Sequence, residues 1–363
     1  AKNEAGLATV MSHEIAHVTQ RHIARSFENA DRASLSALAG LIAAVIIGTQ
    51  NPTAGVATAA AVQGGTTQAL IDFTRANEKE ADRIGIKILA DSGFDPRAVP
   101  TFFQRLHDAS KYYAVPPEFL STHPVTSNRI AEATERAEEY PYRQYEDSLS
   151  YHLVRAKLQV LDSDSPKAAV EYFRDLLDSG KYLNLLGATY GYALALASSG
   201  ALAEARQVTE LLIENSPERI GFYELLARIE IKSGNIDQAL FIYEDNLELY
   251  PQNKILVRGY SHILNKVGRP RDALTTLDHF KKFQPLDAIM HEISANAYER
   301  LGDPRRAHAS IAEAYYLKGA LRRAIHQLEL ALKAPSSGDF YIDAGIQARL
   351  QQLQEEETLR NSK

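Results

Sequence analysis

Leu7-Ala8-Thr9-Val10-Met11-Ser12-His13-Glu14-Ile15-Ala16-His17-Val18 is an apolar-periodic run that encloses the pattern His-Glu-x-x-His. A helix turns each residue by about 100°, so His13 and His17, four apart, share one face with one turn between them. Two imidazoles in that relation can hold a single metal ion. Glu14 stands about 100° further round. That puts it beside the ion and not on it, the place for a general base acting on water. The same five-residue pattern also arises by chance on an exposed helix with two surface histidines, so the flanking sequence has to decide between the two.

Working outward, residues 4 to about 30 read as one helix with a polar tail after His22. His22 lies nine residues after His13, about 900° round the axis. It therefore falls on the opposite face of a continuous helix and reads as a surface residue. Upstream, Ala1-Lys2-Asn3-Glu4 is not a charged start followed by an apolar core, and the first residue is not Met. This suggests a mature or trimmed product that has lost sequence before it.

Downstream, Leu35 to Gly48 is almost wholly apolar, Asn51-Pro52 breaks it, and Ala54 to Gly65 is rich in Ala, Gly and Thr. The apolar run is short of the roughly 20 residues a bilayer span needs. Two readings of residues 35–70 stand: a buried helical hairpin packed on the motif helix, or a partly exposed apolar lid or membrane-surface segment. Helical period resumes over residues 71–92 and ends at Gly93 and Asp95-Pro96. Within it Glu78 and Asp82 share a face, and Glu80 points away from Glu78. A zinc ion held by two histidines of one helix still lacks a protein ligand, and a carboxylate from a distant helix can supply it. Glu78 fits that role, with Asp82 one turn on touching a histidine ring or the leaving group of a substrate. Residues 97–110 read as another amphipathic helix. A loop with Pro116-Pro117 follows, then Ser121-Thr122-His123-Pro124, where Pro124 holds His123 extended.

The second half repeats. Gly200, Gly234, Gly268 and Gly302 are 34 residues apart, as are Ala205, Ala239, Ala273 and Ala307, and Pro217, Pro251 and Pro285 keep the same step. Gly ends the first helix of a pair, Ala lets the second pack closely and Pro closes the unit, a tetratricopeptide pattern. Tyr151 to about Gly180 reads as a diverged first repeat and Leu321 to Gln354 as a partial or capping one. Stacked pairs make a solenoid with a concave, peptide- or protein-binding groove. A boundary near Pro141 divides the chain into residues 1–140 and 141–363. The fold expected is mainly α: a zincin-type metallopeptidase helical domain followed by a tetratricopeptide-repeat α-solenoid.

Helix-borne His-Glu-Ile-Ala-His, then Asn77-Glu78-Lys79-Glu80-Ala81-Asp82-Arg83-Ile84-Gly85, then Ser-Thr-His-Pro with a following Arg129-Ile130, together resemble the gluzincin metallopeptidases. Within that group the chain is most similar to the β-barrel assembly-enhancing proteases of the Gram-negative periplasm, which join such a peptidase to tetratricopeptide repeats. The resemblance spans residues 4 to 130. It implies one Zn²⁺ per chain on His13, His17 and Glu78, with Glu14 as base. It implies Asp82 as proton donor or support, and His123 at the edge of the site as oxyanion stabiliser or fourth ligand. It also implies a periplasmic setting, with outer-membrane β-barrel proteins and their insertion machinery as partners.

Composition narrows the alternatives. The net charge of −6 and the absence of a strong basic field argue against nucleic acid as a partner. No cysteine is present, which removes disulfides, thiolate metal sites and a cysteine nucleophile. The expected activity is zinc-dependent peptide hydrolysis, with the repeats recruiting substrate and residues 35–70 flanking the cleft or touching a membrane surface. The rival is a chaperone or scaffold whose zinc site His123 closes at rest. A peptidase embedded in the bilayer is a weaker reading, because the apolar run is short.

Overall fold

The computed structural model describes residues 3–111, 123–142, 144–335 and 338–361. The loop read around Pro116-Pro117 and the Ser121-Thr122 pair lie outside them. Among the described residues there are seventeen helices and no strand. They form two compact units, Ala1–Tyr151 and His152–Lys363. The mainly-α expectation holds, with helix pairs following a first helical unit.

In the first unit α1 is Glu4–Thr19, α2 His22–Gln50, α3 Pro52–Asp91, α4 Ala98–Ser110 and α5 Ser127–Glu138. Asn3 starts α1 by accepting a hydrogen bond from the Gly6 amide at 3.0 Å. The helix does not run on to residue 30 as expected. It stops at Thr19, and Arg21 takes the left-handed conformation at φ 54°, the one non-glycine residue with positive φ among those described. The turn reorients the chain so that His22 opens a separate helix.

The α1–α3 seam is built from small residues. Ala16 and Ala81 are wholly buried. A Cβ on Gly85 would lie 3.2 Å from both the backbone nitrogen and the Cα of His13, so the absence of a side chain there lets α3 pass close under the motif. Beyond the seam Ile86 and Leu89 of α3 pack with Val99, Phe102 and Phe103 of α4 and Ala133 of α5. Fully burying each of these larger side chains contributes about 1.5–3 kcal/mol, and this core fixes the register of α3 against α1.

The stretch 35–70 is a helical hairpin. Asn51 caps α3 by accepting from the Ala54 amide at 3.1 Å, and Pro52 sits in the first turn, where its missing N–H costs nothing. Gly40 faces Val62, whose side chain fills the space a Cβ there would need. Of the two readings, burial is the one overturned: Leu35, Leu38, Leu41, Ile42, Val45, Ile46 and Ile47 are all exposed. Apolar composition alone could not separate a buried face from a bare one. The apolar region is also longer than the sequence run suggested. His22–Ile47 is long and apolar enough to cross a membrane by length and composition. The small-residue stretch and the helix carrying Glu78 are a single helix of 40 residues.

In the second unit α6 (Leu149–Leu161, entering from the first unit) and α7 (Pro166–Asp178) lead into α8 (Leu185–Ser199) and α9 (Leu202–Asn215). Then come α10 (Ile220–Ser233), α11 (Ile236–Leu249), α12 (Lys254–Lys266) and α13 (Pro270–Lys281). The series closes with α14 (Ala288–Arg300), α15 (Pro304–Leu317), α16 (Leu321–Lys333) and α17 (Phe340–Asn361). Gly200, Gly234, Gly268 and Gly302 all have positive φ, between 73° and 89°, and end the first helix of each pair. Ala205, Ala239 and Ala273 are wholly buried where the second helix packs on the first. These are the physical reasons for the 34-residue period.

Candidate metal centre

Three segments of the first unit meet over the motif: α1 with His13, Glu14 and His17, the C-terminal part of α3 with Glu78 and Asp82, and the stretch before α5 with His123. One donor atom each from His13, His17, Glu78 and His123 lie within 4.8 Å of one another. His13 Nε2 is 3.0 Å from His17 Nε2 and 3.5 Å from a Glu78 carboxylate oxygen. His17 Nε2 is 3.2 Å from Glu78, and His123 Nδ1 is 2.9 Å from Glu78 and 3.4 Å from His13 Nε2. Donors bound tetrahedrally to zinc at about 2.0–2.1 Å stand about 3.3 Å apart. The donor set and its spacing therefore fit such an ion. Glu14 is half-buried at the edge of the cluster, with one oxygen 3.8 Å from His123 Nε2.

The supports around the cluster are buried and charged. Asp82 lies 3.0 Å from His13 Nδ1, which leaves Nε2 facing the cluster. Arg129 donates to both Asp82 oxygens at 2.7 Å, approaches Glu78 at 2.9 Å and donates to the Pro124 carbonyl at 2.9 Å. His107 Nδ1 lies 3.2 Å from the Val125 carbonyl. Arg129 and His107 thereby hold the backbone that follows His123. Burial alone would lower the His13 pKa, but the carboxylates of Asp82 and Glu78 outweigh it and raise it to about 9. Burial opposes ionisation of both acids. Even so, Glu78 is held far below the usual carboxylate range by the three histidines and Arg129, and Asp82 is lowered by His13 and Arg129. The field in the cluster favours a cation.

His22 corrects the sequence reading. Its residue is 2% exposed, not a surface group. The expectation assumed a continuous helix, and the left-handed turn at Arg21 removes that assumption. His22 Nδ1 lies 2.9 Å from His17 Nδ1, and His22 Nε2 lies 3.2 Å from Glu80, which Arg25 also contacts at 2.8 Å. His22 thus stands behind His17 as Asp82 stands behind His13. Arg129 and Gly85 were quoted within the motifs, but no role could be read for them. Both act through contacts that exist only once α3 and α5 have packed.

Residues 1–137 match the model of peptidase family M48. The chain is 31% identical over 353 residues to the β-barrel assembly-enhancing protease of Escherichia coli (strain K12), covering 97% of this chain and 72% of that protein. It belongs to the M48 metallopeptidases. This M48 chain is also 34% identical over 360 residues to a putative β-barrel assembly-enhancing protease of Vibrio cholerae, covering 97% of the chain and 73% of that protein. The mitochondrial metalloendopeptidase OMA1 of Schizosaccharomyces pombe matches over 158 residues at 32% identity, 44% of each chain. An M48 peptidase works with a metal ion, and the His/Glu cluster is the group that could hold one among the described residues.

Proposed function

We propose that this M48 metallopeptidase is a zinc metalloendopeptidase of the periplasm that acts on outer-membrane β-barrel proteins during their assembly. The observation that carries the chemistry is the convergence of four donor atoms within 4.8 Å, with Glu14 at their edge. The setting and substrate rest on the likeness, over nearly the whole chain, to proteases named for β-barrel assembly.

One zinc ion per chain would be held by His13, His17 and Glu78, and when bound it would polarise the scissile carbonyl and make water acidic enough to attack at neutral pH. Glu14 takes the proton from the attacking water and passes it to the leaving amine. Asp82 fixes the tautomer of His13, and His22, backed by Glu80, does the same for His17. Asp82 is buried and tied to Arg129 by two hydrogen bonds, so its role is to position His13 rather than to deliver protons. His123 faces the cluster through Nδ1 and would serve as a fourth ligand at rest. Displaced by substrate, it can donate to the developing oxyanion. The repeats recruit substrate or assembly machinery. The exposed apolar hairpin, which has no Asp, Glu, Lys or Arg from Ala33 to Ile71, lies against a lipid surface.

A second reading is favoured by the place of His123: a scaffold whose site is closed at rest, structural zinc being fully protein-ligated. Zinc content and hydrolysis of a quenched fluorescent peptide, compared in the parent chain and in Glu14→Gln and His123→Ala, separate the two. A peptidase keeps stoichiometric zinc in both variants, loses about 10²–10⁴-fold in rate with Glu14→Gln, and loses up to about 10²–10³-fold with His123→Ala, which removes the oxyanion donor. Loss of zinc with His123→Ala and no hydrolysis by any form would leave the scaffold.

A further inference from the structure

The repeat unit contains a groove of about 1130 Å³. It is lined by the first helices of successive pairs, from Lys157 on α6 through Tyr190 on α8 to α10, α12 and α14. Tyr243 of α11 enters its floor beside Gly259, where a Cβ would lie only 2.4 Å from the tyrosine oxygen. The apolar side chains of Ile255 and Ile289 are exposed in it.

Its charge is unbalanced once internal pairs are set aside. The two acidic side chains that line it are both engaged: Glu224 with Arg228 at 3.7 Å, and Glu292 with Lys318. Arg258 pairs with Asp287. Lys232 donates to the Ala197 carbonyl at 2.9 Å, and Arg300 to the Asn296 amide oxygen at 3.0 Å, both neutral partners. Lys157, Lys232, Lys266 and Arg300 therefore carry charges that no ion pair among the described residues offsets, in a chain whose net charge is −6. One buried polar group also lacks a partner. Asn265 is 4% exposed, its amide nitrogen donates to the Ile293 carbonyl at 2.9 Å, and its oxygen has no hydrogen-bond donor. The first bond fixes which way the amide points and leaves the oxygen buried beneath the groove.

We propose that this groove binds an extended peptide segment in which Asp or Glu alternate with apolar residues. The carboxylates meet Lys157, Lys232, Lys266 and Arg300, and the apolar side chains rest on Ile255 and Ile289. Extended chain suits the site because successive side chains point to opposite sides, which separates charged from apolar contacts. Glu224 and Glu292 argue against a polyanion with one charge per unit, such as nucleic acid, and tolerate a peptide that can set a neutral residue opposite them. The assignment rests on the reading that the repeats recruit substrate, and it names the chemistry they select.

The test uses the full chain carrying Glu14→Gln, so that a bound peptide is not cut. Fluorescence anisotropy is read with three labelled probes: an alternating Glu/Val peptide, its Lys/Val counterpart and an oligothymidylate. The acidic peptide is expected to bind, with weaker binding at high salt. Lys266→Glu combined with Arg300→Glu is expected to weaken it by roughly tenfold or more. Lys167→Glu, exposed and outside the groove, should leave it unchanged. Equal affinity for the acidic and basic peptides, or no change on the double reversal in a protein with an unaltered circular dichroism melt, overturns the proposal. So does tighter binding of the oligothymidylate that the same reversal abolishes. Hydrolysis of unfolded casein with and without an acidic tag, by the otherwise parental enzyme, is read in parallel. If the reversal abolishes peptide binding but both substrates are cut as before, the groove is an acidic-peptide site and only the recruitment reading falls.

Discussion

The two ends of α3 invert the ordinary rule of what a helix buries. Towards its N-terminus Val56, Leu70 and Ile71 are exposed and no charged residue occurs before Asp72. Towards its C-terminus Asn77, Glu78 and Asp82 are buried at 8% exposure or less, and the two carboxylates face three histidines and an arginine. Bare apolar surface and buried charge both oppose folding when considered alone. Their presence on one continuous helix marks two places where the chain keeps a feature for something other than stability. On the proposed reading that is a lipid-facing surface at one end and a cation site at the other. The two ends should therefore answer differently to substitution.

The sharpest contrast lies at the charged end. Glu78→Gln removes a donor and one negative charge, and zinc affinity should fall by at least about 100-fold, the upper range for loss of a mere supporting partner. Dialysis against a zinc buffer with metal analysis would measure it, and retained stoichiometric zinc would take Glu78 out of the ligand set. Arg129→Met comes next. It leaves Asp82 and Glu78 buried without their cation, and loss of one member of a buried pair costs about 3–5 kcal/mol. Chemical denaturation of the metal-free chain should register that fall, and saturating zinc should restore part of it, because the ion replaces the missing positive charge. Gly85→Val tests the seam. The branched side chain must push α3 from the backbone of His13, an overpacking cost of about 1–3 kcal/mol. A lowered melting temperature with weakened zinc binding is expected, and an unchanged zinc affinity would show that the close approach does not set the ligand geometry. The smallest effect on stability belongs to the apolar end. Ile46→Asp, on an exposed position of the hairpin, should alter stability by no more than about 0.5 kcal/mol and leave zinc content alone. Flotation with phospholipid vesicles should nevertheless be lost. Flotation that survives the charge would remove lipid as the partner of this surface.

What could be read beforehand follows from which features are local. The meeting of His13 with His17 is a property of helical period, and the solenoid is a property of repeated Gly, Ala and Pro at a fixed step. Neither needs tertiary knowledge. The turn at Arg21 was illegible because Gln20-Arg21 contains no Gly, Pro or Asn to announce a left-handed residue. His22 was misplaced for that reason alone. Arg129 and Asp82 are far apart in sequence, and an exposed ion pair would have produced the same letters. The bareness of the hairpin was equally hidden, since Leu, Ile, Val and Ala say only that a surface is apolar. The length of α3 was obscured by Gly64-Gly65, which its hairpin partner tolerates: nothing lies near either position to exclude or require a side chain.

The left-handed Arg21 has a mechanical consequence. A residue with a Cβ in that conformation gives up about 1–2 kcal/mol relative to continuing a right-handed helix. The bend persists because His22, once turned inward, is clasped between His17 and Glu80. Since α3 is one helix held on α1 at the Gly85 seam, straightening the chain at Arg21 would pull α2 away from its hairpin partner. The imidazole that stands behind His17 is therefore also a latch that keeps the two arms of the hairpin together.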